Sequence, residues 1–294
     1  MSQDKPDFRS VAQLFQVPIL PDEELEGLAE VDRSKVGENA EESEALGRAF
    51  LNEGDYDKAI EHFRRACTQR EPGDIHSQVE LAGAMDAADR APEAFRQYLK
   101  AIRAQQGAVE PKVGMSEILK RYGRTGDSIK LLIEAAEADP SNAYLRIKVA
   151  EALRDNGQPK AALEWATQAV AIAPEDSFNH AWMGDHLLSM GRNAEALESL
   201  RAALELSPGD DYLYLRAAVG FWRENRPKEA IKALVTAIEL DPERGMTHAA
   251  LVRFYNETDQ VMEAQVAEEV MPTLDRYDED LLHKFLVECG LEPA

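Results

Sequence analysis

The sequence predicts an all-α fold, an α-solenoid of about seven helix-turn-helix hairpins closed by a C-terminal capping helix. Three observations predict it: small residues recur at a spacing of 34 residues, Gly or Pro falls at fixed places between apolar segments, and the composition favours helix. Because one hairpin cannot bury both of its apolar faces, each unit must stack on its neighbours.

The repeat divides the chain into units at 40–74, 75–108, 109–142, 143–176, 177–210, 211–244 and 245–278. Position 20 of successive units is Ala59, Ala94, Ser128, Ala162, Ala196, Ala230 and Ala264, and position 27 is Ala66, Ala101, Ala135, Ala169, Ala203, Ala237 and Met271. Position 8 is nearly as small, with Gly47, Ala82, Ser116, Ala150, Gly184, Ala218 and Val252. Side chains of this size let two helix backbones approach closely, which indicates tightly packed hairpins.

Two breaks in each unit mark the ends of its helices. The first lies near position 15 and is occupied by Gly54, Gly123, Gly157 and Gly191. The second lies near position 32 and is occupied by Pro140, Pro174, Pro208 and Pro242. Gly is typical just beyond a helix end, and Pro cannot continue a helix.

These columns resemble the tetratricopeptide repeat (TPR) family over about residues 40 to 278. Its pattern has small residues at positions 8, 20 and 27, large residues at 11 and 24, and Pro at 32. The resemblance implies a right-handed solenoid whose first helices line a concave groove that binds peptides or helices. The family's frequent Trp at position 4 is absent, and the fifth, sixth and seventh repeats carry His180, Tyr214 and His248 there.

The two ends of the chain depart from the repeat. Residues 1–39 contain three prolines and a cluster of acids, and we predict an acidic leader that is disordered or docks on the groove or on a partner. Its segment FRSVAQLF places Phe8, Val11, Leu14 and Phe15 on one face of a short helix. Residues 279–294 are predicted to form the capping helix and tail.

Charge and cysteine content narrow the class of partner. The formal charge of -22 disfavours nucleic acid and membrane partners, and Cys67 and Cys289 are too few and too far apart for a disulfide framework. We therefore predict a cytoplasmic protein without a cofactor. No phosphate-binding loop or nucleophile elbow is present, and His180 and His186 lie on different faces of one helix, so neither an enzyme nor a metal site is predicted.

If the family's geometry holds, positions 2, 5, 6, 9, 12 and 13 of the first helices face the groove. The predicted partner-binding residues there are aromatic or basic: Lys120, Arg121, Tyr144, Lys148, Arg154, Phe178, Trp182, Tyr212, Arg216, Trp222, Arg223 and Arg253. Aromatic residues and Arg are favoured in binding hot spots. The competing interpretation is that the position 2 aromatics Tyr144, Phe178 and Tyr212 pack between neighbouring repeats. Trp182 and Trp222 are expected to face the open channel of the groove.

The sequence thus predicts an adaptor or scaffold that holds a protein or peptide segment in this groove. Two alternatives stay open: a regulatory or substrate-recruiting subunit of an enzyme complex, and a scaffold that self-associates through its leader or end faces. The inward positions of the first two units carry Glu41, Glu44, Glu80 and Asp86, opposed by little beyond Arg48, so we expect the groove to be charge-polarised along its length.

Overall fold

The computed structural model describes residues 39–71 and 73–293, and all of the regular structure in these ranges is helical. The predicted leader lies outside the described residues apart from Asn39. The chain divides into two compact units, each of which contains several repeats: Met1–Gly157 (unit 1) and Gln158–Ala294 (unit 2).

Unit 1 contains seven described helices. They are α1 (Ala40–Asn52), α2 (Tyr56–Gln69), α3 (His76–Ala87), α4 (Ala91–Ala104), α5 (Glu110–Arg121), α6 (Thr125–Ala138) and α7 (Ala143–Asp155). The first helix starts at a capping box, in which the Asn39 side chain accepts from the Glu42 amide and the Glu42 carboxylate accepts from the Asn39 amide. Consecutive helices pack as antiparallel pairs around Phe63, Phe95 and Met115, which are completely or almost completely buried.

Unit 2 contains eight helices, and its core is mostly aliphatic. The helices are α8 (Pro159–Ile172), α9 (Ser177–Ser189), α10 (Asn193–Leu206), α11 (Asp211–Arg223), α12 (Pro227–Leu240), α13 (Gly245–Glu257), α14 (Val261–Glu269) and α15 (Arg276–Glu288). Leu188, Leu200, Leu213 and Leu234 fill the core together with Phe254. Asp176 and Asp210 cap α9 and α11 by accepting hydrogen bonds from backbone amides in the first turn.

Every turn at position 15 places one residue in the left-handed backbone region. The four predicted glycines have φ between 70° and 77°, and the three other hairpins use Asp89, Asn225 and Asp259 at 56° to 57°. Asp and Asn tolerate this conformation better than other residues with a side chain. The turn is therefore kept where Gly is absent.

The small-residue columns lie inside the packing, as the repeat predicted. The position 20 residues are at most 4% exposed, and the position 27 alanines are at most 1% exposed. A Cβ atom added at Gly184 would lie 2.7 Å from Leu200 Cγ and 3.4 Å from the Ala196 carbonyl oxygen. Because real Cβ atoms do not approach so closely, the small residue is what lets α9 and α10 pack at this distance.

Position 4 has a structural role that replaces the family's Trp in unit 2. His180 Nε2 lies 2.9 Å from the Pro174 carbonyl oxygen, and His248 Nε2 lies 3.0 Å from that of Pro242. The Tyr214 hydroxyl donates to the Pro208 carbonyl across 3.3 Å. Each side chain thus bonds the proline carbonyl that precedes its own helix, which fixes the entry of the chain into that helix.

The end of unit 2 departs from the sequence prediction. α14 stops at Glu269 because Pro272 cannot donate to a helix and disfavours helical backbone before it, so Met271 does not take an interior helical place at position 27. The capping helix begins at Arg276 rather than at 279, because the Asp275 side chain accepts from the Asp278 amide and starts it earlier. α15 then packs on α13.

Candidate functional site

The predicted partner-binding residues all lie on first helices of hairpins, and we call them the first-helix face. In unit 1 this face consists of Lys120 and Arg121 on α5 with Tyr144, Lys148 and Arg154 on α7. In unit 2 it consists of Phe178 and Trp182 on α9, Tyr212, Arg216, Trp222 and Arg223 on α11, and Arg253 on α13. Each unit's face is described by itself.

In unit 1 the charged residues of the face form ion pairs, two of them between repeats and two within α7. Lys120 Nζ lies 2.7 Å from Asp155 Oδ2, and Arg121 pairs with Asp86 on α3. Lys148 Nζ lies 5.5 Å from the centroid of the Tyr144 ring and 3.3 Å from Glu151 Oε2, while Arg154 Nε lies 4.0 Å from Asp155 Oδ1. The pairs make this face nearly neutral, and Tyr144 is its exposed aromatic residue.

The first two repeats are not the unopposed acidic end that the sequence predicted. Arg70, which follows α2, forms a bidentate pair with the buried carboxylate of Glu44, and Ser77 donates to the same carboxylate across 2.5 Å. Burial raises the pKa of Glu44, but these hydrogen bonds lower it by a larger amount, so the pKa lies below its usual value. Arg48 pairs with Glu80 and Arg121 with Asp86, so three of the four predicted acids are neutralised.

In unit 2 a cluster of hydrogen bonds joins α9 to α11. The Tyr212 hydroxyl donates to Asp185 Oδ2 across 2.6 Å, and Arg216 Nε donates to Asp185 Oδ1 across 2.5 Å. Burial and the Asp185 charge both raise the pKa of the Tyr212 hydroxyl, so it stays protonated. Burial lowers the pKa of Arg216, but Asp185 and Glu288 raise it more, and the guanidinium stays charged.

The C-terminal helix α15 occupies the other part of the face in unit 2. Arg216 Nη1 donates to Glu288 Oε2 across 2.7 Å, and Arg223 Nε donates to the Glu288 carbonyl across 2.6 Å. Trp222 stacks on Phe254 with ring centroids 4.0 Å apart, and Phe254 contacts Phe285 of α15 at 5.8 Å. Helix α15 is therefore held by an aromatic stack flanked by two arginines.

The remaining arginine, Arg253, is engaged in the same way. Its Nη2 lies 2.9 Å from Glu257 Oε1 and 3.4 Å from the Leu291 carbonyl oxygen beyond α15. All three arginines of this face in unit 2 thus contact α15 or the residues after it.

Trp182 and Trp222 do not face an open channel, and this expectation was wrong. Trp182 is 6% exposed and stacks on His186 with centroids 5.0 Å apart, and His186 Nε2 is bonded to the Pro159 carbonyl of α8. Trp222 is half-buried in its stack with Phe254 of α13. The physical reason is that another ring covers each indole: His186, on the next turn of the same helix, covers Trp182, and Phe254 of α13 covers Trp222.

The position 2 aromatics have the opposite environment. Phe178 is 51% exposed and Tyr212 is 44% exposed, and Tyr144 in unit 1 is similarly open. Tyr212 also contacts the preceding repeat, because its hydroxyl donates to Asp185 of α9 while the ring stays partly exposed. The three rings form the open aromatic surface of the first-helix face.

The described residues contain neither a group of side chains placed to hold a metal ion nor a cysteine with a lowered pKa. In the ranges 39–71 and 73–293, no three His, Cys, Asp or Glu side chains come together in a way that would hold a metal ion. Burial raises the pKa of both Cys67 and Cys289 to about 12, so almost no thiolate exists at neutral pH. No described helix has the length and apolar character needed to cross a membrane.

Comparison with known proteins agrees with this architecture. A tetratricopeptide repeat family model matches residues 25–75, 44–109, 118–177 and 183–245, which together make up more than half of the chain. The chain belongs to the tetratricopeptide repeat family. The first match begins at residue 25, so the TPR pattern extends into the stretch predicted as leader. The all-α repeat fold is confirmed, and TPR domains serve as protein-interaction modules.

Several solved TPR structures share the fold at low sequence identity. The C-terminal part of a TPR protein from Cytophaga hutchinsonii has a TM-score of 0.65 and 14% identity, covering 80% of this chain and 98% of that one. PilF of Pseudomonas aeruginosa has a TM-score of 0.56 and 15% identity, covering 69% and 92%. YrrB, described as a TPR protein with an unusual peptide-binding site, has a TM-score of 0.50 and 19% identity, covering 77% and 99%. No curated protein sequence matches the chain.

Proposed function

We propose that this TPR protein is a non-catalytic adaptor or scaffold that binds a peptide or helical segment on its first-helix face. The proposed contact in unit 2 centres on Phe178 and Tyr212, beside the cluster of Asp185 and Arg216. Tyr144 and Lys148 are the proposed contact of unit 1. The observation that carries the proposal is the exposure of these aromatic rings in a chain that is only 7% aromatic.

Exposed aromatic rings next to fixed polar groups are what peptide recognition requires. An aromatic ring contributes a large contact area at a small cost in side-chain entropy, and hot spots are rich in Tyr and Arg. The Tyr212 hydroxyl and the Arg216 guanidinium are both held by Asp185, so their positions are set before a ligand arrives. Such preorganisation lowers the entropy cost of binding.

The intramolecular helix α15 supports the choice of a helical or peptide ligand. It packs on α13, where Phe285 contacts Phe254, and it reaches α11 through Glu288, which accepts hydrogen bonds from two arginines. The adjoining open part of the same face offers a similar combination of side chains. A segment with large apolar anchors therefore suits Phe178 and Tyr212 better than a small or highly charged ligand does.

The similarity to YrrB adds a weaker argument. That protein is described as having a peptide-binding site, and the likeness to it extends over most of both chains. At 19% identity the likeness concerns the fold alone, so it supports the class of ligand but not its sequence.

A displayed peptide library provides ligands for a direct test. Peptides are selected on the full-length wild-type protein, and their affinities are then measured by fluorescence anisotropy. We expect the double variant Phe178→Ala/Tyr212→Ala to weaken the selected peptides by about ten-fold or more, because each hot-spot truncation costs more than about 1 kcal/mol. Helicity should stay unchanged and the melting temperature should fall only slightly, since both rings are about half exposed and Arg216 still pairs with Asp185 when the Tyr212 hydroxyl is lost.

The matched control is Tyr277→Ala, which removes an aromatic ring of 70% exposure from α15. Its affinity for the selected peptides should equal that of the wild type. If both variants retain full affinity, or if Tyr277→Ala weakens binding as much, the first-helix face is not the binding site.

A further inference from the structure

Helix α14 exposes an unusual amount of apolar side chain for a soluble repeat. Its residues Val261, Met262 and Val266 are 56% to 71% exposed, and Val270 at its end is similarly open. The other second helices of unit 2 expose a large apolar residue only near their last turn, as Leu206 does on α10. A contiguous exposed apolar patch marks an interaction surface more often than a scattered residue does.

This patch forms one wall of a groove that crosses α13 between α12 and α14. The groove has a volume of about 460 Å³ and is lined by Val235, Ile238, Glu239, His248, Leu251, Tyr255, Met262, Glu263, Val266, Ala267 and Val270. On α14 the apolar residues Met262, Val266 and Val270 recur every four residues, so they lie on one face. Val235 and Ile238 of α12 form the opposite wall. None of the lining residues belongs to the first-helix face.

The groove stays open because of how unit 2 ends. In a regular array the next hairpin would pack on both helices of the preceding one. Here α15 packs on α13 and reaches back to α11 through Glu288, which leaves the apolar face of α14 exposed. The early end of α14 at Glu269, before Pro272, sends the chain away from that face.

The charges of the groove indicate the chemistry of its occupant. Its charged residues are both acids, Glu239 and Glu263, and within residues 39–71 and 73–293 neither carboxylate has an ion-pair partner. Neither Lys nor Arg lines the groove. An occupant that carries Lys or Arg beside its apolar face is therefore attracted, and a second copy of this chain, at a charge of -22, is repelled.

We propose that the groove between α12 and α14 binds an amphipathic helix of another protein, with aliphatic residues on one face and Lys or Arg at its flanks. The wall from Met262 to Val270 is about 12 Å long, at 1.5 Å per residue, and matches about two turns of such a helix. This mode of recognition lays the apolar face of a helix into a groove and reads it through residues one turn apart. It is a second interaction surface, separate from the one proposed above.

A defined probe tests this inference on the full chain. The probe is a fluorescein-labelled synthetic helix of about 16 residues, with leucines at i, i+4 and i+7 and two lysines at each end. A matched peptide replaces the four lysines with glutamates. We expect the lysine-flanked peptide to bind about five-fold tighter or more at low salt, and the preference to shrink as salt rises. Equal binding of the two peptides would overturn the proposal.

Two variants on α14 distinguish binding in the groove from non-specific binding to the exposed apolar surface. Val266→Glu places a charge in the groove and should weaken the lysine-flanked peptide by about ten-fold. Val261→Glu changes an equally exposed residue of α14 outside the lining and should change affinity by less than about two-fold. Both variants should keep wild-type helicity, since both residues are exposed. Equal loss in the two variants would overturn the proposal.

Charge recognition and independence from the first-helix face are tested by two further variants. Glu239→Gln/Glu263→Gln keeps the shape of the groove and should remove most of the preference for lysine over glutamate flanks. Phe178→Ala/Tyr212→Ala should bind the probe as the wild type does, so failure of one proposal does not imply failure of the other. A preference that survives the neutralised pair would contradict the assigned role of these carboxylates.

Other occupants are separate outcomes. A dimer seen by sedimentation velocity and dissolved by Val266→Glu would assign the groove to a second copy and overturn the proposal. A peptide of residues 4–17 that binds tighter than the lysine-flanked probe, and loses affinity in Val266→Glu, would assign it to the chain's own N-terminal segment and overturn it as well.

Discussion

The first-helix faces of the two units are fixed by different interactions. In unit 1, side chains of successive first helices pair directly, as in Lys120 with Asp155 and Arg48 with Glu80. In unit 2, a separate helix packs on the face, and Arg216 and Arg223 contact its last residue, Glu288. Repeat position therefore sets which way a residue points, but the neighbouring element decides whether the residue stays exposed.

The same lesson holds within a single helix. Tyr212 and Trp222 both lie on α11, and both belong to the predicted groove. The Tyr212 ring is open near the start of the helix, whereas Trp222 near its end is half-buried and stacked on Phe254. We therefore expect substitutions in the contacts of α15 to lower stability strongly, and substitutions in the exposed ion pairs of unit 1 to lower it little.

The largest effect is expected from Phe285→Ala. Phe285 is 5% exposed and ends the aromatic stack, so its truncation removes apolar burial and leaves a cavity. The free energy of unfolding should fall by about 3 kcal/mol in urea denaturation. Tyr277→Ala on the same helix should change it by less than about 0.5 kcal/mol. Comparable losses in the two variants would show that α15 is not anchored by this stack.

A smaller and pH-dependent effect is expected from Glu44→Gln. The folded pKa of Glu44 is lowered by Arg70 and Ser77, so its ionised form stabilises the protein above the unfolded pKa of about 4.3. At pH 7 the variant should be less stable by about 1 to 3 kcal/mol, and the difference should vanish as pH falls through the folded pKa.

The control for this prediction is Glu41→Gln, an exposed acid on the same helix. Its free energy of unfolding at pH 7 should be close to that of the wild type, because the Glu41 side chain is exposed. A Glu44→Gln difference that grows on acidification would contradict the assigned direction of the pKa shift.

The smallest effect is expected from Lys120→Ala. Lys120 and Asp155 are both more than two-fifths exposed, so their pair is screened by solvent. The free energy of unfolding should fall by less than about 0.5 kcal/mol, so the melting temperature should change little. This difference should disappear at high salt. A loss as large as that of Phe285→Ala would mean that pairing between repeats is a main source of stability in unit 1.

Much of the fold followed from local patterns in the sequence. The alanine columns predicted which residues are buried, since a small side chain is useful where helices cross closely. The turns were predicted where Gly occurs, and Asp89, Asn225 and Asp259 use the same backbone conformation at the equivalent place. The exposed position 2 aromatics were among the predicted site residues, but their exposure could not be separated from packing without coordinates.

The errors arose where long-range contacts decide the outcome. Trp222 stacks on Phe254 of α13, and Phe254 in turn contacts Phe285 of α15, whose packing on α13 has no signal in the repeat columns. The neutralisation of Glu44 depends on Arg70, which lies outside a helix and has no fixed place in the columns. Pro272 was a usable signal for the early end of α14, but the period assigned Met271 to a helix that does not reach it.

The most direct test of the account is a crystal structure of the protein with a peptide selected on the wild type. We expect peptide density against Phe178 and Tyr212, with Phe285 still packed on Phe254 and Glu288 still bonded to Arg216 and Arg223. Density for the peptide in the place of α15, or on a surface that Phe178 and Tyr212 do not reach, would contradict it.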